Sequence, residues 1–140
     1  MTTNKEKINR DLVVSLLRVG NLINDELNCL VKHYGISLPQ FNVLRILRGQ
    51  KGTPANLSTI NERMIHKMSN TTRLVDKLID KGLVHRRICE TNRRKIEIEI
   101  TPKGIELLAQ LDHPISEKEA QLTKNLNEKE KLIALVQHLI

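Results

Sequence analysis

Polar and basic side chains between residues 69 and 77 recur at positions that a helix would place on one face. Val75, Leu78 and Ile79 form the apolar face of that helix, which leaves the polar residues on the outside. In the major groove an arginine can bind guanine, and an asparagine adenine, through two hydrogen bonds, while hydroxyl groups bind phosphate. The segment therefore predicts a helix that reads duplex DNA through five side chains: Ser69, Asn70, Thr72, Arg73 and Lys77.

A second basic cluster, Arg93 and Arg94, lies in a polar turn between two predicted strands. Isoleucine alternates with glutamate through residues 95–100, which is typical of a strand, and residues 83–89 predict its partner. An arginine at the tip of such a hairpin suits the minor groove of DNA, because the negative potential there attracts it.

Two further arginines, Arg86 and Arg87, lie in the first of these strands. They would either contact phosphate or pair across the hairpin with Glu97 or Glu99. The sequence leaves both interpretations open.

Helical periodicity and capping residues predict the elements that position these side chains. Ser37 and Gln40 have the spacing of a capping box, and Pro39 lies in the first turn of the helix that follows. Pro114 should kink or break a later helix near Asp112. The predicted helices are residues 5–34, 38–49, 57–64, 69–81, from 102 onwards, and from a capping box at 127–130 to the end.

The order of the elements, with two short helices joined tightly and a charged hairpin after them, describes a winged helix-turn-helix. The fold class is therefore mainly α with a small β-hairpin wing. The first helix would be about 40 Å long, too long to bury its apolar stripe in one small domain, so it should extend into a partner subunit. We expect one intertwined domain in three parts: a dimerisation helix at 1–36, a winged helix-turn-helix DNA-binding domain at 37–101, and C-terminal dimerisation helices at 102–140.

The basic excess of the chain falls on the segment that would meet DNA. The 140 residues carry a net charge of +7, and residues 35–104 alone hold fourteen basic and six acidic side chains, a net of +8. A concentrated basic block favours a polyanionic partner. It disfavours the alternative of a winged-helix module that binds protein, because protein interfaces are depleted in lysine.

The composition argues against several other classes of protein. No apolar run approaches the roughly 18 residues that a membrane span needs, and the polar N-terminus has no apolar stretch of a secretory signal. Two cysteines make no disulfide framework, which predicts a cytoplasmic protein. With one Tyr, one Phe and no Trp, the chain lacks an aromatic platform for single-stranded nucleic acid.

In these segments the sequence resembles the MarR family of winged-helix transcription regulators. The resemblance spans nearly the whole chain, and the recognition-helix and wing segments together make it fairly specific. The matching residues are Leu38–Phe41 with Leu44, Ser69–Leu78, Lys81–Val84, Asn92–Arg94 and Ile100–Gly104.

The resemblance implies a homodimer, held by the first and the last two helices, that binds a pseudo-palindromic operator in double-stranded DNA. It implies that Arg94 is the wing-tip arginine that enters the minor groove. The chain departs from the family pattern at Asn92, where an aspartate usually orients that arginine, and at Asn61, where a small residue is common.

The family resemblance also implies a repressor that a small-molecule effector releases. The effector site would lie below the first and second helices, near Tyr34 and Phe41. An effector bound there would favour a different distance between the two recognition helices of the dimer. That distance would no longer match one turn of DNA, about 34–36 Å.

Catalysis and metal binding find no support in the residue pattern. The five histidines show no zinc spacing, and no phosphate loop or nucleophile motif occurs, so we expect no enzyme activity, no metal and no cofactor. A thiol-based redox sensor or enzyme that uses Cys89 or Cys29 is the remaining alternative. Cys89 has Arg87 and Arg93 nearby in the sequence, which favours a reactive thiolate, whereas Cys29 follows two acidic residues.

Overall fold

The computed structural model describes residues 3–67, 70–92 and 94–140. It confirms a mainly helical fold with an antiparallel hairpin. The elements follow in the order α1 (Asn4–Lys32), α2 (Leu38–Gly49), α3 (Leu57–Arg63), α4 (Thr71–Asp80), β1 (Val84–Ile88), β2 (Ile96–Ile100), α5 (Pro102–Leu122) and α6 (Lys129–Gln137).

The connection from α1 to α2 follows the local signals in the sequence. The Ser37 hydroxyl accepts from the N–H of Gln40 at 3.3 Å, and the Gln40 side chain accepts from the N–H of Ser37 at 3.1 Å, so the predicted capping box forms. The helix α1 ends at Lys32, two residues earlier than predicted, and Gly35 adopts the left-handed φ of 82°. A glycine tolerates this φ because it has no Cβ.

The core lies where α2, α4, α5 and the hairpin meet. Leu44, Leu78, Ile98 and Leu108 come from these four elements and are fully buried. From α1, only the C-terminal part joins this core, where Val31 is fully buried. The winged helix-turn-helix thus has a core of its own, to which α5 contributes one side.

Most of α1 projects away from that core. Residues 3–25 are exposed throughout, although many of them are apolar. In the ranges that the structure describes, none of the helices combines the length and the apolar character that crossing a bilayer requires.

The hairpin pairs in a regular register, with Val84 opposite Ile100 and Arg86 opposite Ile98. A short extended segment at Ala55 adds to the other edge of β2, where Ala55 and Ile98 exchange both backbone hydrogen bonds, at 3.1 and 2.7 Å. The sequence predicted a plain loop at this point. The bridge fixes the base of the hairpin to the loop between α2 and α3.

The sequence predicts a kink or a break at Pro114, and the structure shows that α5 is not broken there. The helix runs from Pro102 to Leu122 with Pro114 inside it. Leu111 and Ile115, on either side of the proline, are both buried. Their burial holds the helix together across the hydrogen bond that the proline cannot donate.

The capping box predicted at residues 127–130 does not form. The N-cap of α6 is Glu128, one residue later than predicted; its φ is 54°, and no side-chain hydrogen bond caps the helix. Asn127 therefore lies outside the helix, one position too early for its side chain to serve as the cap.

Candidate nucleic-acid interface

The helix α4 presents one apolar face and one polar face, as predicted. Val75 and Leu78 are fully buried against the core. On the opposite face Thr72, Arg73 and Lys77 are exposed. The structure therefore brings three of the five predicted side chains of this helix together on one surface.

Asn70 has a different position from the one expected. The helix α4 begins at Thr71, and Asn70 is its N-cap, with the side-chain oxygen accepting from the N–H of Arg73 at 3.1 Å. Recognition of adenine through two hydrogen bonds would need that same oxygen, and loss of an N-cap costs about 0.5–2 kcal/mol. Ser69, predicted in the same helix, lies outside the described residues.

One hydrogen bond holds α4 against α3, and another holds the connection before α4 against α2. The Thr71 hydroxyl donates to the side-chain oxygen of Asn61 in α3 at 3.0 Å, and the side-chain oxygen of Asn42 in α2 accepts from the N–H of Ile65 at 2.9 Å. Neither Asn42 nor the role of Asn61 could be predicted from the sequence. A single polar residue on a helix face gives no signal of its partner.

The wing carries Arg94 at its exposed tip. The side-chain oxygen of Asn92 accepts from the backbone N–H of Arg94 at 3.1 Å. The amide thus orders the backbone of the turn rather than the guanidinium group. Arg93, the other arginine predicted at the tip, lies outside the described residues.

Arg87 pairs across the hairpin, one of the two interpretations that the sequence left open. Its guanidinium lies 2.9 Å from the carboxylate of Glu97 and 3.1 Å from that of Glu99. The hydrogen bond with Glu97 raises the pKa of Arg87, and the same hydrogen bond lowers the pKa of Glu97. His85 also lies 3.0 Å from Glu99. Glu97 and Glu99 therefore compete with phosphate for the charge of Arg87.

Arg86 points to the other side of the strand and pairs with Asp76 of α4. The partner in this ion pair is therefore a residue of α4, and not Glu97 or Glu99 of the facing strand. The contact links the wing to the helix that carries Arg73.

The cysteines lie in settings that give a redox sensor no support. The Cys89 sulfur is 3.2 Å from the Thr91 hydroxyl. The guanidinium group of the nearby Arg87 pairs with the carboxylates of Glu97 and Glu99. Cys29 lies exposed on α1.

Tyr34 and Phe41, both expected near one effector site, line two separate cavities. Tyr34 faces an open cleft of about 590 Å³ between the end of α1, the end of α4 and α5. Phe41 faces a cavity of about 220 Å³ with largely apolar walls. That second cavity is bounded by α1, α2, the α3–α4 connection and α5, through residues that include Ile23, Leu27, Leu38, Phe41, Met64 and Ile115.

Among the residues that the structure describes, no group of three or more His, Cys, Asp or Glu side chains could hold a metal ion.

Comparison with known proteins extends the likeness to the whole chain. A model of the MarR family matches residues 36–96. The HTH-type transcriptional regulator PecS of Dickeya dadantii (strain 3937) is 30% identical over 123 residues, which cover 86% of this chain and 73% of PecS. The HTH-type transcriptional regulator MhqR of Bacillus subtilis (strain 168) is 34% identical over 97 residues, which cover 69% of this chain and 66% of MhqR.

Two crystal structures share the fold. A MarR family transcriptional regulator from Silicibacter pomeroyi superposes with a TM-score of 0.76 at 26% identity, over 98% of this chain and 89% of that one. The transcriptional regulator BldR from Sulfolobus solfataricus superposes with a TM-score of 0.78 at 25% identity, over 99% of this chain and 97% of that one. The likeness covers α1 and the closing helices as well as the winged helix-turn-helix.

Proposed function

The chain belongs to the MarR family and is a DNA-binding transcriptional regulator. We propose that it acts in the cytoplasm as a homodimeric repressor of a pseudo-palindromic operator. A small-molecule effector would release the repressor from that operator. One observation carries the proposal: an exposed basic face on α4 lies beside an arginine-tipped wing, on the segment that carries the charge of +8. Duplex DNA accepts one helix in the major groove and a thin extension in the adjacent minor groove.

The proposed DNA contacts divide between base reading and phosphate binding. Arg73 lies in the first turn of α4, the part of a recognition helix that meets base edges, and we assign it to guanine. Thr72 and Lys77 flank it on the exposed face and suit phosphate. Asn70 would contribute only its free amide N–H groups, because its oxygen caps the helix. Arg94, with its neighbour Arg93, would enter the minor groove.

The surface area of the chain supports a homodimer. One chain exposes 10553 Å², about 3,000 Å² more than the roughly 7,400 Å² of a compact monomer of this mass. A stable interface needs only about 800 Å² from each partner. The exposed apolar side chains concentrate on α1, on α6 and just after α6: Ile8, Leu12, Val13, Val14, Leu16, Leu17, Val19, Leu22, Ile23, Leu132, Ile133, Leu135 and Leu139. A second copy of residues 1–36 and 102–140 would cover them.

Replacing the proposed DNA-contacting arginines separates their roles. We expect Arg94→Ala to weaken binding to operator and to unrelated duplex alike. The slope of log K against the logarithm of the salt concentration should become shallower by about one, which corresponds to one released counterion. Arg73→Ala should in addition relax the preference for the operator, since a bidentate base contact contributes about 1–3 kcal/mol of discrimination. The measurement is a fluorescence-anisotropy titration at several salt concentrations, with an operator obtained by selection from a random duplex library.

Lys124→Ala is the matched control, because it removes one positive charge from the exposed turn after α5. It should leave both affinities unchanged. Equal and weak binding of the unsubstituted protein to every duplex would contradict a sequence-specific regulator. Unchanged affinities in both arginine variants would contradict the site assignment.

The apolar cavity beside Phe41 is the proposed effector site. Its wall includes Met64, Ile65 and His66, which connect α3 to the recognition helix, and Ile23 and Leu27 of the proposed dimerisation helix. A ligand that fits the cavity better in one arrangement of α1 and α4 would shift the population towards that arrangement. Arg45 lies over Phe41, with its guanidinium carbon 5.6 Å from the ring centroid, and both Arg45 and Glu119 contribute charge to the cavity wall.

Filling this cavity with a side chain should remove the response to effector. We expect compounds found by screening to lower operator affinity about 10-fold or more, within the usual range of coupling between two sites. Leu27→Trp should abolish that effect, because the larger side chain occupies the cavity. Ile105→Trp, which introduces the same side chain at an exposed position elsewhere, is the control. Compounds that act equally on the Leu27→Trp variant would contradict this site.

A further inference from the structure

The ion pair between Asp76 and Arg86 joins two elements that the proposed DNA contact uses separately. Asp76 belongs to α4 and Arg86 to β1, and the carboxylate and the guanidinium are in direct hydrogen-bond contact. Both side chains are partly exposed, at 54% and 38%. Their contact ties the middle of the recognition helix to the wing.

Asp76 lies on the face of α4 that would meet DNA. It is three positions after Arg73 and next to Lys77, within one helical turn of both. A free carboxylate there would repel phosphate and would compete for Arg73. Arg86 neutralises this carboxylate from outside the helix, and so Arg73 remains available for DNA.

In the hairpin, the row of facing residues that contains Arg86 is also the last row that contacts the rest of the domain. Arg86 pairs with Ile98, which is fully buried and bridges to Ala55 on its other edge. Beyond this row, towards the tip, Ile88 and Ile96 are exposed. One strand is therefore held by Ala55 and the other by Asp76, and together these contacts set the orientation of the free part of the wing.

The distance to the tip amplifies any change at this row. The strands stay paired as far as the hydrogen bond from Cys89 to Lys95, three residues beyond Arg86, or about 10 Å of extended strand. A rotation of the hairpin by about 10° at its base would displace that point by about 2 Å, a third of the roughly 6 Å width of a minor groove, and would displace Arg94 beyond it further. Arg94 can enter the minor groove accurately only if the base of the hairpin does not rotate relative to the recognition helix.

We propose that Asp76 and Arg86 form a positioning pair that fixes the wing relative to the recognition helix, and that Arg86 does not itself bind DNA. The inference rests on the proposed DNA contacts of Arg73 and Arg94. Arg87, one position along the same strand, offers a matched comparison. It is also exposed to solvent on the hairpin, yet it pairs with Glu97 and Glu99 inside the hairpin and not with α4.

The test is the ratio of affinities for operator and for a scrambled duplex, measured for Asp76→Ala, Arg86→Ala, the double variant and Arg87→Ala. The ratio matters because removal of Asp76 alone raises affinity for every duplex by removing a negative charge. Each single variant of the pair should lower the ratio about 5- to 10-fold, and the double variant should lower it no further than Arg86→Ala does. The salt dependence of Arg86→Ala should equal that of the unsubstituted protein, and Arg87→Ala should keep the ratio.

Arg86→Lys, which retains the charge, should restore most of the ratio. Exposed ion pairs contribute little to folding, so all variants should retain the helical circular dichroism of the parent. A fall of about one in the salt slope of Arg86→Ala would show a phosphate contact and overturn the proposal. Additive losses in the double variant, or an equal loss in Arg87→Ala, would overturn it as well. No discrimination by the unsubstituted protein would contradict the proposed function itself.

Discussion

Replacing Leu12 and Leu16 with Glu is expected to convert the protein to monomers and to lower its operator affinity by at least about 100-fold, because linked binding to two half-sites is lost. The two side chains are 55% and 36% exposed in a single chain. In a two-fold dimer, four new carboxylates would enter the apolar interface, and each unpaired buried charge costs several kcal/mol. The helix α1 contributes to the core only near Val31, so the winged helix-turn-helix should stay folded. Light scattering after gel filtration gives the mass, and anisotropy gives the affinity.

Asn21→Glu is the matched control for this experiment. It adds the same charge to the same helix at another exposed position, about 180° around the helix from Leu12. This variant should remain dimeric and should bind the operator with nearly the affinity of the parent. The dimer proposal would be contradicted if the Leu12→Glu, Leu16→Glu double variant kept both the mass of a dimer and its operator affinity.

Features set by neighbouring residues could be predicted from the sequence. The capping box at Ser37 and Gln40 and the strands on either side of the polar turn appear as expected. In each case the groups that determine the structure lie within a few residues of one another. Hydrogen bonds and φ preferences of this kind do not depend on the rest of the fold.

Features set by packing could not be predicted. Pro114 remains inside a helix because Leu111 and Ile115 are buried beside it. Local rules describe what a segment prefers when it is isolated, and tertiary contacts outweigh preferences of about 1 kcal/mol.

The candidate site shows the same division. The exposed positions of Thr72, Arg73 and Lys77 follow from helical periodicity alone. The partner of Arg86 could not be predicted in this way. Asp76 and the glutamates of the facing strand are equally plausible until the angle between α4 and the hairpin is known. Tyr34 and Phe41 are close in sequence but face different cavities, since the turn at Gly35 separates their directions.

Gly104→Ala should destabilise the protein by about 3 kcal/mol, the upper end of the usual cost of overpacking. The glycine lies in the first turn of α5, where a Cβ atom would lie 2.4 Å from the carbonyl oxygen of Leu83 and 2.7 Å from Cγ1 of Ile100. The nearest atom belongs to the backbone, so a rotamer change cannot relieve the contact. The helix would have to move away from β2 and from the turn after α4. The expected fall in Tm is about 10 °C by calorimetry.

Gly49→Ala provides the comparison, because a Cβ there has no neighbour within 4 Å and the residue ends α2 with an ordinary negative φ. That substitution should leave stability unchanged or raise it by up to about 1 kcal/mol, since alanine loses less backbone entropy on folding than glycine does. A Gly104→Ala variant that unfolds at the temperature of the parent would contradict the close approach of α5 to Leu83. That approach joins the C-terminal end of the recognition helix to the first turn of the proposed dimerisation region, so the variant should lose operator affinity together with stability.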